Sequence, residues 1–156
     1  MSRRSITKKR YPKRDAKYDS TLVSLFITRI LRNGKKTLAN SIVLDTFDAI
    51  ETQTNTNPIQ VFETSIKNVI PLVEVKARRI GGSTYQVPLE VNQYRGTNLA
   101  LKWIITAAKA RAGRTIAEKL ANEIMDASNG VGSAMKKRQE THRMARSLIH
   151  IVRSLL

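Results

Sequence analysis

The chain contains no cysteine. Disulfides, thiolate metal sites and thiol nucleophiles are therefore excluded, and synthesis and use in one reducing or redox-neutral compartment are expected. Aromatic residues are sparse at 5 %, with a single Trp. No apolar run approaches the length of a membrane span, and no signal-peptide core stands at the start. The scarcest class is the acids: 12 Asp plus Glu face 28 Lys plus Arg, a formal net charge of +16 and a pI near 10.7. Such a surplus repels itself unless a polyanion neutralises it. Nucleic acid is thus the leading partner. An anionic membrane surface competes with it, and a small-molecule substrate does not fit.

At 156 residues, with 41 % hydrophobic residues, the chain suits one domain with one core. The only convincing strand pair lies at 73–91. Val73, Val75 and Ala77 alternate with Glu74, Lys76 and Arg78; Tyr85, Val87, Leu89 and Val91 alternate with Gln86, Pro88 and Glu90. Each arm therefore has one apolar face, and Gly81-Gly82 supplies the reversal between them. A two-residue loop there would set Val75 opposite Pro88 and Ala77 opposite Gln86, mixing the faces. An odd loop restores Val75 to Leu89 or Val87, so the alternation predicts a three- or five-residue connection with a glycine bulge. Lys76 and Arg78 would then share the second face, with Arg79 near the tip.

The rest of the chain is helical in period. Residues 1–18 hold Arg3, Arg4, Lys8, Lys9, Arg10, Lys13, Arg14 and Lys17 against the single acid Asp15. They read as a disordered basic extension that folds onto RNA, with a transit peptide as the competing assignment. Residues 19–156 are expected to form the single RNA-binding domain. Leu22, Phe26 and Ile30, with Val23, Ile27 and Leu31, make the first apolar stripe, which Asn33-Gly34 ends. Lys35 and Lys36 open the next helix, where the macrodipole is positive, so they suggest an external anion; a solvated turn explains them equally. Gly34-Lys35-Lys36-Thr37 fails the phosphate-loop pattern, because position 29 is Arg and position 36 is Lys. Thr52 to Thr56 reads as a connection, and Asn57-Pro58 as a capped helix start.

After the hairpin a helix is expected from Leu99 to Ala112. Arg95, Lys102, Lys109, Arg111 and Arg114 span this stretch with no acid among them. Arg95, Lys102 and Lys109, seven apart, fall on one face as a phosphate-facing stripe. Trp103 reads as core. Thr115 opens a capping box with Glu118. Ser133 is expected to cap a last helix whose inner side carries Met135, His142, Ala145, Ile149 and Val152. Its outer side carries Lys136, Lys137, Arg138, Arg143, Arg146 and Arg153, with Glu140 the one acid. His142 and His150 are spaced unsuitably for a metal. No positioned nucleophile, base or metal cluster emerges, so neither an enzyme nor a cofactor site is expected.

The order is basic tail, three helices, hairpin, three helices. That order resembles the small-subunit ribosomal protein S-seven family, of the plastid and bacterial type. The shared strings are Asn33-Gly34-Lys35-Lys36, Asn57-Pro58, Val75-Lys76-Ala77-Arg78-Arg79-Ile80-Gly81-Gly82-Ser83-Thr84-Tyr85-Gln86-Val87-Pro88, and Lys136-Lys137-Arg138-Gln139-Glu140-Thr141-His142-Arg143-Met144-Ala145. The resemblance implies a mainly α fold of about six helices, with the hairpin between the third and fourth. It also implies binding to the head (3′ major) domain of small-subunit rRNA and a role in nucleating head assembly. Neighbouring head and platform proteins, protein eleven included, are implied partners. The implied RNA-facing residues are the tail with Lys35, Lys36, Arg78, Arg79, Arg95, Lys102, Lys136, Lys137 and Arg143. To these the charge pattern adds Lys76, Lys109, Arg111 and Arg114. The resemblance further implies that Arg78, Arg79, Gly81, Gly82 and Tyr85 reach toward exit-site tRNA and mRNA. Residues 146–156 depart from the family in being more apolar. The hairpin string is closest to plastid members, which implies a ribosome of the chloroplast stroma, with bacterial cytoplasm as the alternative. A helix-turn-helix DNA regulator is the alternative function.

Overall fold

The structure, a computed structural model, describes residues 12–80 and 82–155. Arg3, Arg4, Lys8, Lys9, Arg10 and Gly81 lie outside the described residues. Six helices and one hairpin follow in the order α1 (Thr21–Ile30), α2 (Lys36–Thr54), α3 (Pro58–Val69), β1 (Val73–Ile80), β2 (Ser83–Glu90), α4 (Gln93–Ala110), α5 (Ile116–Ser128) and α6 (Ser133–Leu155). The expected mainly α architecture is therefore observed.

The helices share one core. Phe26, Phe47 and Phe62 are fully buried, and their ring centroids lie 5.0 and 5.4 Å apart in tilted pairs. This geometry, favoured by the ring quadrupoles, ties α1, α2 and α3 together. Helix α5 fills the centre through Leu120, Ala121, Ile124 and Ala127. Leu101, Ile104 and Ala108 bring α4 to the same core, with Trp103 packed at its edge.

Caps explain most helix starts. Asn57 Oδ1 accepts from Ile59 N–H at 3.0 Å with Pro58 in the first turn, and the Thr115 hydroxyl accepts from Glu118 N–H at 3.3 Å. Helix α2 runs on to Thr54, through part of the expected connection, until Asn55 turns left-handed at φ 50°. Helix α4 begins at Gln93, earlier than the expected Leu99, because Asn92 Oδ1 accepts from Tyr94 N–H. The cap lies ahead of the apolar run that marked the helix in the sequence.

Ser133 is the first residue of α6 rather than its cap. The capping oxygen comes from α5: Glu123 Oε1 accepts from Ala134 N–H at 2.9 Å. Glu123 is fully buried, and its other oxygen accepts from Arg111 Nε at 2.5 Å. Arg111 also pairs with Asp126. Gly132 precedes α6 at φ +98°, and a Cβ there would lie 3.0 Å from Glu123 Oε1. The positive φ favours glycine, and a Cβ would crowd the buried carboxylate. Met135 and Ala145 face inward as expected, whereas the side chains of Ile149, His150 and Val152 lie outside those described.

Residues 12–18, at the end of the basic extension, carry local structure. Asp15 Oδ2 accepts from the N–H groups of Lys17 and Tyr18, Arg14 pairs with Asp19, and Tyr18 packs edge-on against Phe47 at 5.2 Å. One aromatic residue and an Asx turn suffice to order what composition marks as solvated. The hairpin departs from the expected three- or five-residue connection: its register runs Val75↔Pro88, Ala77↔Gln86 and Ile80↔Ser83, so two positions separate the paired ends, and Gly82 stands there at φ +89°. Alternation dictates register only where one face is buried. Here both faces of the arm stay partly exposed, and Lys76, Ala77, Arg78, Thr84 and Gln86 are exposed, so the short connection, with Gly82 left-handed, decides it. Lys76 and Arg78 therefore share a face with Val87 and Tyr85, while Arg79 lies opposite Thr84 on the other face.

The hairpin's root is fastened on three sides. Val91 N–H donates to Leu72 O at 3.0 Å, and Leu72 N–H donates to His142 Nε2 at 3.1 Å, joining the root to α6. His142 accepts this bond as the neutral imidazole. Partial burial, then the charges of Arg138 and Arg146, push its pKa down. On the third side Glu74 accepts from Arg95 of α4 and pairs with Lys76, both at 2.8 Å. Burial works to raise the pKa of Glu74, but hydrogen bonds and charge from Lys76 and Arg95 outweigh it and hold it below the usual carboxylate range.

Two predictions follow from these anchors. Glu123→Ala leaves Arg111 with only Asp126 and strips the cap from α6, so urea unfolding should show a loss of about 3 kcal/mol; Glu123→Gln, which keeps an acceptor for Ala134, should lose less. The depressed pKa of Glu74 means that its stabilisation is complete above the unfolded-state pKa and is lost as pH falls through the lower folded value. Hydrogen exchange at Val91 N–H, corrected for intrinsic rate, should accelerate relative to the helical core in that acidic window. Glu74→Gln should remove this pH dependence.

Candidate nucleic-acid interface

The acids of this chain divide its cations into two sets. Lys76, Arg95, Arg111 and Lys137, all expected at the interface, are engaged internally with Glu74, Glu74, Glu123/Asp126 and Glu140 respectively. Arg111 is the extreme case. Its side chain is 26 % exposed. Burial alone would lower its pKa, but hydrogen bonds to Asp126 and Glu123 outweigh that and raise it. Its guanidinium holds α4's C-terminal end to α5 and is not free charge. The charge pattern that placed it with acid-free neighbours did not include the acids that bind it, which lie 12 and 15 residues further on.

Lys35, Lys36, Arg78, Arg79, Lys102, Lys109, Arg114, Lys136 and Arg143 form the second set. All are exposed, and none forms a salt bridge among the described residues. They occupy distinct places. Lys102 and Lys109 continue the α4 face that Arg95 begins, two turns apart along one side. Arg78 and Arg79 project from opposite faces of the hairpin, with Tyr85 directly across from Arg78. Lys35 and Lys36 stand where α2 begins, after Asn33 and Gly34 at φ 51° and 73°. The first turn of α2 carries no acid, and its N-cap no side-chain hydrogen bond.

Helix α6 carries the widest basic surface. Lys136, Lys137, Gln139, Glu140 and Arg143 line one open concavity with Ser133. Arg138, His142, Arg143 and Arg146 line the next along the helix. Within the first, Lys137 donates to Glu140 at 2.7 Å; that bond, with the charges of Lys137 and Arg143, holds Glu140 below the usual carboxylate range. Arg138, Arg146 and, at the α1–α2 turn, Arg32 were not singled out as site residues. The spacing of Arg138, His142 and Arg146 by four is the signal that could have found the first two.

The arrangement delivers separated positive charges on rigid elements, the requirement for positioning on a phosphate backbone. It presents no catalytic constellation. Among the described residues no group of three or more His, Cys, Asp or Glu could hold a metal ion, and no helix is long and apolar enough to cross a membrane.

Comparison with known proteins agrees with this picture. The profile of the family described as ribosomal protein S7p/S5e matches residues 2–148. The small ribosomal subunit protein uS7c of Trieres chinensis is 56 % identical over 151 residues, which cover 97 % of this chain and 96 % of the relative. The small ribosomal subunit protein uS7 of Synechocystis sp. is 57 % identical over 145 residues, 93 % of each chain. That of Arthrospira platensis is 53 % identical over the same length and coverage. A helix-turn-helix DNA regulator has no place beside matches of this extent. The chain belongs to the ribosomal protein S7p/S5e family, whose members are structural and not enzymatic.

Proposed function

We propose that the protein is a structural constituent of the small ribosomal subunit, seated on the head (3′ major) domain of its rRNA and nucleating head assembly. The hairpin then extends toward the mRNA exit channel and exit-site tRNA, and neighbouring proteins, protein eleven among them, pack beside it. The observation that carries this reading is the set of exposed, acid-free cations on α2, α4, the hairpin and α6, each on an element fixed to the common core. Residues 19–156 act as the rRNA-binding domain, and the basic segment before them extends its reach. A ribosome of the chloroplast stroma is the proposed location, supported by the plastid relative that aligns with nearly the whole chain.

Phosphate neutralisation makes binding salt-dependent. If about six to ten phosphates are engaged, affinity for a head-domain rRNA fragment should fall by roughly three to five decades between about 50 and 200 mM salt. A nearly flat dependence would overturn the proposal. Lys102→Ala with Lys109→Ala should lower the salt slope by about two while unfolding free energy stays within about 0.5 kcal/mol. Arg111→Ala should instead unfold the chain more readily. Shortening the hairpin between Ala77 and Gln86 should leave rRNA binding largely intact and disturb tRNA release; loss of rRNA binding would mean that the hairpin anchors rather than reaches.

A further inference from the structure

Leu38 is 55 % exposed in the first turn of α2. It is not isolated. Leu38, Ile30, Ile42 and the buried Ala39 give the apolar lining of a depression where α1 hands over to α2, and Arg32, Asn33 and Lys35 give its polar lining. No acid lines it. The left-handed pair Asn33 and Gly34 turns the chain there, and Lys35 N–H donates back to Arg32 O at 3.1 Å, keeping the turn in shape.

An apolar lining beside cationic, hydrogen-bonding groups is ill suited to a bare phosphate, which needs no apolar surface. It is equally ill suited to the apolar side chain of a neighbouring protein, which needs no cations. It matches a nucleotide, whose base has an apolar face, a polar edge and an anionic phosphate attached. We infer that this depression receives one unpaired nucleobase extruded from the bound RNA, its face on Leu38, Ile30 and Ile42, its edge at Asn33 and its phosphate between Arg32 and Lys35. The inference rests on the rRNA-binding function proposed above and adds a contact to a base at a place where charge alone indicates only backbone contacts. Unpaired, splayed bases are the part of RNA that proteins read, so this depression gives the protein a means of choosing its site as well as adhering to it.

The test uses the full chain and a head-domain rRNA fragment. Leu38→Ser, on a half-exposed side chain, should leave unfolding unchanged and weaken binding about five- to tenfold, the scale of losing one apolar contact. It should do so with an unaltered salt slope, because no ion is released. Lys35→Ala should instead lower the slope by about one. A photo-crosslinking residue at position 38 should label one unpaired nucleotide, and an abasic substitution there should weaken wild-type binding more than binding by Leu38→Ser. Unchanged affinity of Leu38→Ser, or additive effects of Leu38→Ser and the abasic site, would overturn the inference. Crosslinking to a protein in assembled subunits would overturn it in favour of a protein contact. Steep salt dependence of the wild type in the same titrations would show that the parent reading survives such a failure; a flat one would remove both.

Discussion

The arrangement of the basic surface depends on a buried carboxylate. Glu123 is wholly removed from water, a position costly for a charge unless every oxygen is satisfied. It is satisfied from two directions, by Arg111 Nε and by the first-turn N–H of Ala134, where the partial positive charge of the α6 N-terminus adds to the attraction. Because Arg111 belongs to the segment after α4, one side chain of α5 joins the end of α4 to the start of α6. A rotation of α6 about its axis would break the bond to Ala134 and leave a buried acceptor unmade. Helix α6 therefore has one docked orientation, and with it Lys136, Arg143 and Arg146 have one outward direction.

The few acids repeat this pattern elsewhere. Glu74 joins the hairpin to α4, and Asp126 shares Arg111 with Glu123. Asp15 shapes the turn that seats Tyr18 on Phe47. In a chain with a net charge of +16, acids spent inside the structure are unavailable to screen the outside. The uncompensated cations then repel one another until a polyanion arrives. The same scarcity of acids thus serves two ends: rigid placement of the basic elements, and a field that a polyanion relieves. Family membership gives that polyanion a ribosomal identity.

What the sequence revealed follows the range of the interactions involved. Caps act within three residues, so Asn57 and Thr115 were readable. Helical stripes act within a turn, so the core face of α1 was readable too. The hairpin was visible through its alternation and its glycines, but not its register, because neither face is buried deeply enough for apolarity to select the pairing. Asn92 was overlooked because the first turn of α4 is polar and no apolar period announces it. Arg111 was placed with the RNA-facing residues because its charge was counted within one helix, while its partners sit on the next. Charge along a helix shows which residues are basic; only the fold shows which of them remain free.

Amide hydrogen exchange at Ala134 in the RNA-free protein tests the central claim most directly. If the carboxylate of Glu123 holds α6 in place before RNA arrives, that first-turn N–H should be protected to nearly the free energy of global unfolding, far beyond the fraying typical of a helix start. Exchange at the rate of an ordinary frayed terminus would contradict the account, and would mean that the basic face of α6 is assembled only on its RNA.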